Sequence, residues 1–171
     1  MFFSGFSLNN EQNLFKDYIE TSDFVVSGFS YGAIKAIDYT LNAIKNNIRI
    51  DKIQLFSPAY FNDQNKKFKR MQLIFFQKNQ SSYKDNFLNN IQYPNKIDLA
   101  PYVVNGSYEQ LDLLLNYQWQ TDILQTIVDA NIIIEVYLGE KDKIINSLAA
   151  KDFFRAFAEV YFIKNVGHIL Q

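Results

Sequence analysis

Short apolar runs alternate along the chain with segments whose apolar residues recur every three or four positions. This is the pattern of parallel strands joined by crossover helices. Phe2-Phe3 is the shortest expected strand. Between 10 and about 20, Leu14, Phe15, Tyr18 and Ile19 share one helical face, and 23–27 (Asp-Phe-Val-Val-Ser) reads as a buried strand. From Tyr31 to about Lys45, Ile34, Ile37, Leu41 and Ile44 recur at helical spacing, as a helix packed on a sheet requires. Strands are expected at 52–56, 132–138 and 160–164, with a helix over 147–158.

Between Pro58 and about Ala130 the character changes. The segment is polar and rich in Asn, Gln and Lys, with helical stretches near 62–78 and 107–128, and Ser107 and Gln110 have capping-box spacing. It reads as an insertion covering the sheet. The expectation is one α/β domain over 1–171: a mostly parallel sheet of about five strands flanked by helices, with a helical cap at about 59–130. Its 171 residues suffice for one well-buried core and are short for two.

Candidate chemistry sits where strands end. Gly28-Phe29-Ser30-Tyr31-Gly32 is a G-x-S-x-G sequence directly after an expected strand and directly before an expected helix. In that context the motif forms a nucleophile elbow, with the serine on a strained turn that crowds its neighbours and so calls for glycine. The following helix points its first amides at the reacting centre, and the Tyr31 N–H is placed to donate to an oxyanion. A serine hydroxyl needs a base. The only histidine, His168, follows the last expected strand, in agreement with the chain order Ser, acid, His. The acid falls between them, in the turn Gly139-Glu140-Lys141-Asp142, where Asp142 is the choice and Glu140 the alternative. Ser4-Gly5-Phe6-Ser7 follows the first strand and offers the Phe6 N–H as second oxyanion donor. Five of the 6 glycines fall in these loops and Gly106 does not.

Composition narrows the chemistry further. With no cysteine there is no disulfide, thiolate metal site or cysteine nucleophile, and a single histidine argues against zinc. No metal or organic cofactor is expected. A net charge of -1 excludes a globally basic nucleic-acid binder, and no run approaches a membrane span, so a cytoplasmic protein is expected. The 16 Phe and 11 Tyr exceed what a small core needs. Phe61, Leu73, Phe76, Tyr83, Phe87, Leu111, Leu115 and Trp119 of the cap are expected to supply an apolar channel, about half of them only sealing the cap onto the sheet.

The segments 3–11 (Phe-Ser-Gly-Phe-Ser-Leu-Asn-Asn-Glu), 27–33 (Ser-Gly-Phe-Ser-Tyr-Gly-Ala), Phe56-Ser57-Pro58, Gly139-Glu140-Lys141-Asp142 and Gly167-His168 resemble the pimeloyl-ACP methyl ester esterases of biotin synthesis. The small BioV type is the most similar, with BioG and BioH more distant; the segment from about 60 to 130 matches less clearly. The resemblance implies an α/β-hydrolase fold and hydrolysis of the ω-methyl ester to pimeloyl-ACP and methanol. It places the triad on Ser30, Asp142 and His168 and the oxyanion donors on Phe6 and Tyr31. Against larger hydrolases, Ser4 stands where a histidine commonly precedes the oxyanion-loop glycine. The usual first two strands, the fourth strand with its helix, and the helix after the histidine are also missing, leaving five strands joinable by right-handed crossovers.

The implied partner is an acidic acyl carrier protein. Lys66, Lys67, Lys69 and Arg70 form the densest basic cluster, with Lys66, Lys69 and Arg70 expected on one helical face. The same triad would serve a thioesterase or a general carboxylesterase, and a non-catalytic binding protein on this fold is the remaining class.

Overall fold

A computed structural model describes residues 1–171. Five strands form one parallel sheet in sequential order: β1 (Phe2–Phe3), β2 (Val25–Phe29), β3 (Lys52–Phe56), β4 (Ile133–Gly139) and β5 (Glu159–Ile163). Side chains alternate between its two faces. Val26, Ile53, Leu55, Ile134, Val136 and Leu138 point one way, into a core with α1 (Tyr31–Lys45), α5 (Thr121–Asp129) and α6 (Ser147–Phe154). These helices meet the sheet through Ile34, Ile37, Leu124, Ile127, Ala150 and Phe154. In register on the other face stand Phe29, Phe56 and Tyr137. Phe15 stacks on Phe56 with centroids 4.8 Å apart, and Ile169 and Leu170 complete this smaller cluster.

The second face turns polar toward the strand starts, at Lys52, Gln54 and Glu135. Lys52 Nζ bridges Glu20 (2.7 Å) and Glu135 (2.8 Å), Gln54 Nε2 donates to Glu135 (2.8 Å), and the Tyr137 hydroxyl donates to the same carboxylate (2.9 Å). Burial alone would raise the Glu135 pKa, but Lys52, Gln54 and Tyr137 together hold it below the ordinary range. A parallel sheet covered by helices on both faces reads as continuous apolar runs. This one alternates, with apolar side chains toward α1, α5 and α6 and the polar Lys52, Gln54 and Glu135 on the opposite face.

The segment between β1 and β2 departs from expectation. In place of a helix over 10–20 there is one 3-10 turn, Glu11–Phe15, entered through Asn10 in the left-handed region. It crosses the Phe29–Phe56 face, opposite the three helical crossovers, while the sheet grows throughout in one direction. This first connection therefore has the opposite hand to the other three, so right-handed joining does not extend to all four. The right-handed rule rests on a twisted strand feeding a helix that packs back on the sheet, and a two-residue strand followed by a 3-10 turn is free of that restraint.

The connection from β3 to β4 holds four helices rather than two: α2 (Lys66–Lys78), α3 (Gln80–Ile91), α4 (Tyr108–Asn116) and α5. Asn65 and Asn79 cap α2 and α3 by accepting from Phe68 N and Ser82 N, and Ser107 and Gln110 form the capping box of α4. The stretch 107–128 breaks between α4 and α5 because Trp119 is anchored there. Its indole donates to the Ala59 carbonyl (2.9 Å), and Asn62 bonds both its backbone N–H and C=O. The last helix, α5, packs on α1 and β4, whereas α2 packs on α3 and α4. No helix is long and apolar enough to cross a membrane.

Candidate active site

Ser30 joins β2 to α1 with φ 52° and ψ -112°, a conformation that side chains with a Cβ adopt only under strain. The strain is held by backbone contacts: Ser30 N–H donates to the Phe56 carbonyl at 2.9 Å, and the Ser30 carbonyl accepts from Ala33 and Ala59. The flanking glycines are there for close approach, since none of the six has a positive φ. A Cβ on Gly28 would collide with the Gly32 backbone, and one on Gly32 with the carbonyl of Phe3. The elbow therefore wedges between the ends of β1 and β2. Gly106, the one glycine assigned no part, packs against the Phe6 ring and the Ser7 hydroxyl. It too supports the loop after β1, and only the folded chain brings it there.

The structure brings Ser30, His168 and Asp142 together. His168 Nε2 lies 3.0 Å from Ser30 Oγ, and His168 Nδ1 lies 2.6 Å from Asp142 Oδ2. The imidazole is fully buried, with its ring 5.1 Å from that of Phe29. The other oxygen, Asp142 Oδ1, accepts from the amides of Ile144 (2.7 Å) and Ile145 (3.1 Å), so the carboxylate cannot turn away from the ring. Glu140 is exposed and bonds the amide of Asn165 instead. Of the two candidate acids, Asp142 is the one in contact with His168.

Of the two expected oxyanion donors, Tyr31 directly follows Ser30 and Phe6 lines the same cavity as Ser30. Tyr31 opens α1, so its N–H has no carbonyl in a preceding turn. The Phe6 N–H, in the loop after β1, has no hydrogen-bond partner within the protein. Phe6 and Ser30 both line a cavity of about 730 Å³ roofed by α2, α3 and α4. Of the eight cap residues expected there, Phe61, Tyr83, Phe87, Leu111 and Leu115 line it. Phe76 and Trp119 are packed into the core and Leu73 against it. The lining also includes Ser82, Asn86 and Asn90 along one face of α3, which sequence reasoning missed. Its only charged members are Lys78 and Lys143, both exposed, and the Lys143 ammonium sits 3.4 Å from the centre of the Tyr93 ring.

The basic cluster on α2 is smaller than its sequence suggests. Lys66, Lys67 and Arg70 are exposed, but Lys69 is only 7% exposed and points inward. Its burial pushes its pKa down, an effect Asp63 partly opposes. The expected face of Lys66, Lys69 and Arg70 reduces to Lys66 and Arg70, with Lys67 to the side. No cluster of His, Cys, Asp and Glu capable of holding a metal ion occurs.

No protein-family model and no curated protein sequence matches this chain. Among solved structures it is similar to the naproxen esterase of Bacillus subtilis, at 20% identity and TM-score 0.56, over 92% of this chain and 57% of that one. It is similar to BioG of Haemophilus influenzae at 13% identity and TM-score 0.60, over 98% and 87%, and to MenH of S. aureus at 12% and 0.59, over 99% and 87%. The chain thus spans under two thirds of the larger esterases and most of the length of BioG and MenH. At these identities the likeness is one of fold, and the fold is that of the α/β-hydrolases.

Proposed function

We propose that the chain is a serine carboxylesterase that hydrolyses the methyl ester of pimeloyl-ACP methyl ester through an acyl-enzyme. The observation that carries the ester-hydrolase reading is the Ser30–His168–Asp142 relay, opening on an apolar cavity. Ser30 Oγ attacks the ester carbonyl while His168 Nε2 takes its proton, and Asp142 fixes the imidazole tautomer and stabilises the imidazolium. The N–H groups of Phe6 and Tyr31 bind the oxyanion. Protonated by His168, methanol leaves; water, activated by the same imidazole, then attacks the acyl-enzyme, releasing pimeloyl-ACP with a free ω-carboxylate and restoring Ser30.

Specificity is argued from the cavity and its rim. A wall of Phe61, Phe87, Leu111, Leu114 and Leu115 suits a methylene chain, because apolar area leaves water there. A cavity whose only charges are two lysines suits a substrate whose far end is anionic, as a carrier-bound phosphopantetheine arm is. Lys66, Lys67 and Arg70, exposed at the start of α2, are the proposed contact for the acidic carrier protein. BioG among the structural neighbours supports the reading.

The test compares purified protein on pimeloyl-ACP methyl ester and on p-nitrophenyl acetate, and repeats it with Lys66, Lys67 and Arg70 all changed to Glu; Lys69 is left alone because it is buried. Wild type is expected to release methanol from the ACP ester. The triple variant should lose roughly tenfold or more in kcat/KM on that substrate alone, with a loss that shrinks as salt rises. Turnover of the small ester with none of the ACP ester would instead indicate a general carboxylesterase. Equal losses on both substrates would remove the docking surface.

A further inference from the structure

The carboxyl of Glu11 lies outside the Ser30–His168–Asp142 relay, yet it is fully buried. Its Oε1 accepts the N–H of Gly5 at 2.7 Å, and its Oε2 is one of only two buried side-chain polar atoms without a hydrogen-bond partner. Burying a carboxyl with one oxygen unmatched opposes folding, so a compensating role is expected of it. The backbone around it supplies one. Gly5 is gripped from both sides: its N–H by Glu11 and its carbonyl by the N–H of Leu8, at 3.3 Å. In a trans peptide the carbonyl and the next N–H point in opposite directions. Holding the Gly5 carbonyl back toward Leu8 therefore turns the Phe6 N–H outward, and that N–H is the one left without a partner. The Phe6 ring is fixed as well, edge-on to Phe76 and Phe87 with centroids 6.0 and 5.6 Å away.

We infer that Glu11 is a positioning residue: by fixing the Ser4–Gly5 peptide it acts with the Leu8 bond to the Gly5 carbonyl to hold the Gly5–Phe6 peptide, so that the Phe6 N–H stays free for the oxyanion. The inference rests on the ester-hydrolysis reading for its catalytic consequence, and on geometry alone for the lock. Burial pushes the Glu11 pKa up, an effect that the Gly5 amide and the Lys35 charge on α1 oppose.

Two substitutions of nearly equal size separate the lock from mere packing. Glu11→Gln keeps a carbonyl oxygen for Gly5 N–H, and Glu11→Met fills the same volume without an acceptor. On p-nitrophenyl acetate, Glu11→Gln is expected to stay within about threefold of wild type. Glu11→Met should lose about 10- to 100-fold in kcat with KM little changed, less than the loss of an oxyanion donor outright. A second readout is independent of turnover: in ¹H–¹⁵N spectra the Gly5 amide should be protected from exchange in wild type and in Glu11→Gln and unprotected in Glu11→Met, with the Phe6 resonance displaced only in the last. A folded Glu11→Met with wild-type kcat overturns the catalytic consequence, and Gly5 exchange that is the same in all three proteins overturns the lock. If wild type turns over no ester at all, the proposed function fails while the amide measurement still decides the lock.

Discussion

Ser30→Ala is expected to lower ester turnover by about 10³ or more while leaving the fold in place, and His168→Ala to do the same. Members of a relay act as a unit, so deleting the nucleophile or the base removes nearly the whole covalent route. Retention of fold by Ser30→Ala follows from how the elbow is held. Backbone bonds to Phe56, Ala33 and Ala59 fix it, and the hydroxyl contributes only its bond to His168. His168→Ala is less benign for stability, since it empties a fully buried site and leaves Asp142 without its partner. Its loss of activity is therefore read beside a thermal melt. Steady-state rates on p-nitrophenyl acetate check both variants, and a Ser30→Ala protein with most of its activity would refute the elbow.

Asp142→Asn should lower kcat by roughly 10²- to 10⁴-fold, whereas Glu140→Gln should leave it within about twofold of wild type. The amides of Ile144 and Ile145 hold one oxygen of Asp142, and an Asn carbonyl can replace that oxygen. The Asn amide then faces His168 Nδ1 and donates where the carboxylate accepted, which favours the wrong imidazole tautomer. Geometry survives and chemistry does not. Glu140 meets the Asn165 amide at the surface, so its neutralisation changes one exposed hydrogen bond. Single-turnover kinetics with both variants separate an acylation defect from slow deacylation; comparable losses in the two would leave the choice of acid open.

The elements that position Ser30 were legible because pattern and motif agreed there. Val25–Phe29 is an apolar run ending in G-x-S-x-G, and α1 has clean helical periodicity. His168 is the chain's only histidine and follows the last expected strand, and the structure places it against Ser30. Asp142 and Glu140 stood two residues apart in one turn, and what separates them is the pair of amides following Asp142, which a one-dimensional reading does not show. The 10–20 segment was misread because Leu14, Phe15, Tyr18 and Ile19 recur as on a helix. They serve instead to cover Phe29 and Phe56 through a short 3-10 turn. Helix α3 went unseen behind its Asn and Gln content, although Tyr83, Phe87 and Ile91 recur at four-residue intervals on it. Helical spacing alone puts Lys69 on the exposed face with Lys66 and Arg70, whereas in the folded chain it is buried. Glu11, already inside a quoted segment, carried no signal of its own, since its bond to Gly5 exists only once the loop after β1 closes on the 3-10 turn.

The central claim is that Ser30 is a nucleophile activated by His168, and covalent labelling with a reactive alkyl phosphonate ester tests it most directly. Displacement of the phosphonate leaving group by Ser30 Oγ should add one phosphonyl group per chain by intact mass, mapped to the peptide containing Ser30. The adduct should be absent from Ser30→Ala and form far more slowly in His168→Ala. A wild-type chain that takes up no label, or a label that persists undiminished in Ser30→Ala, would contradict the account.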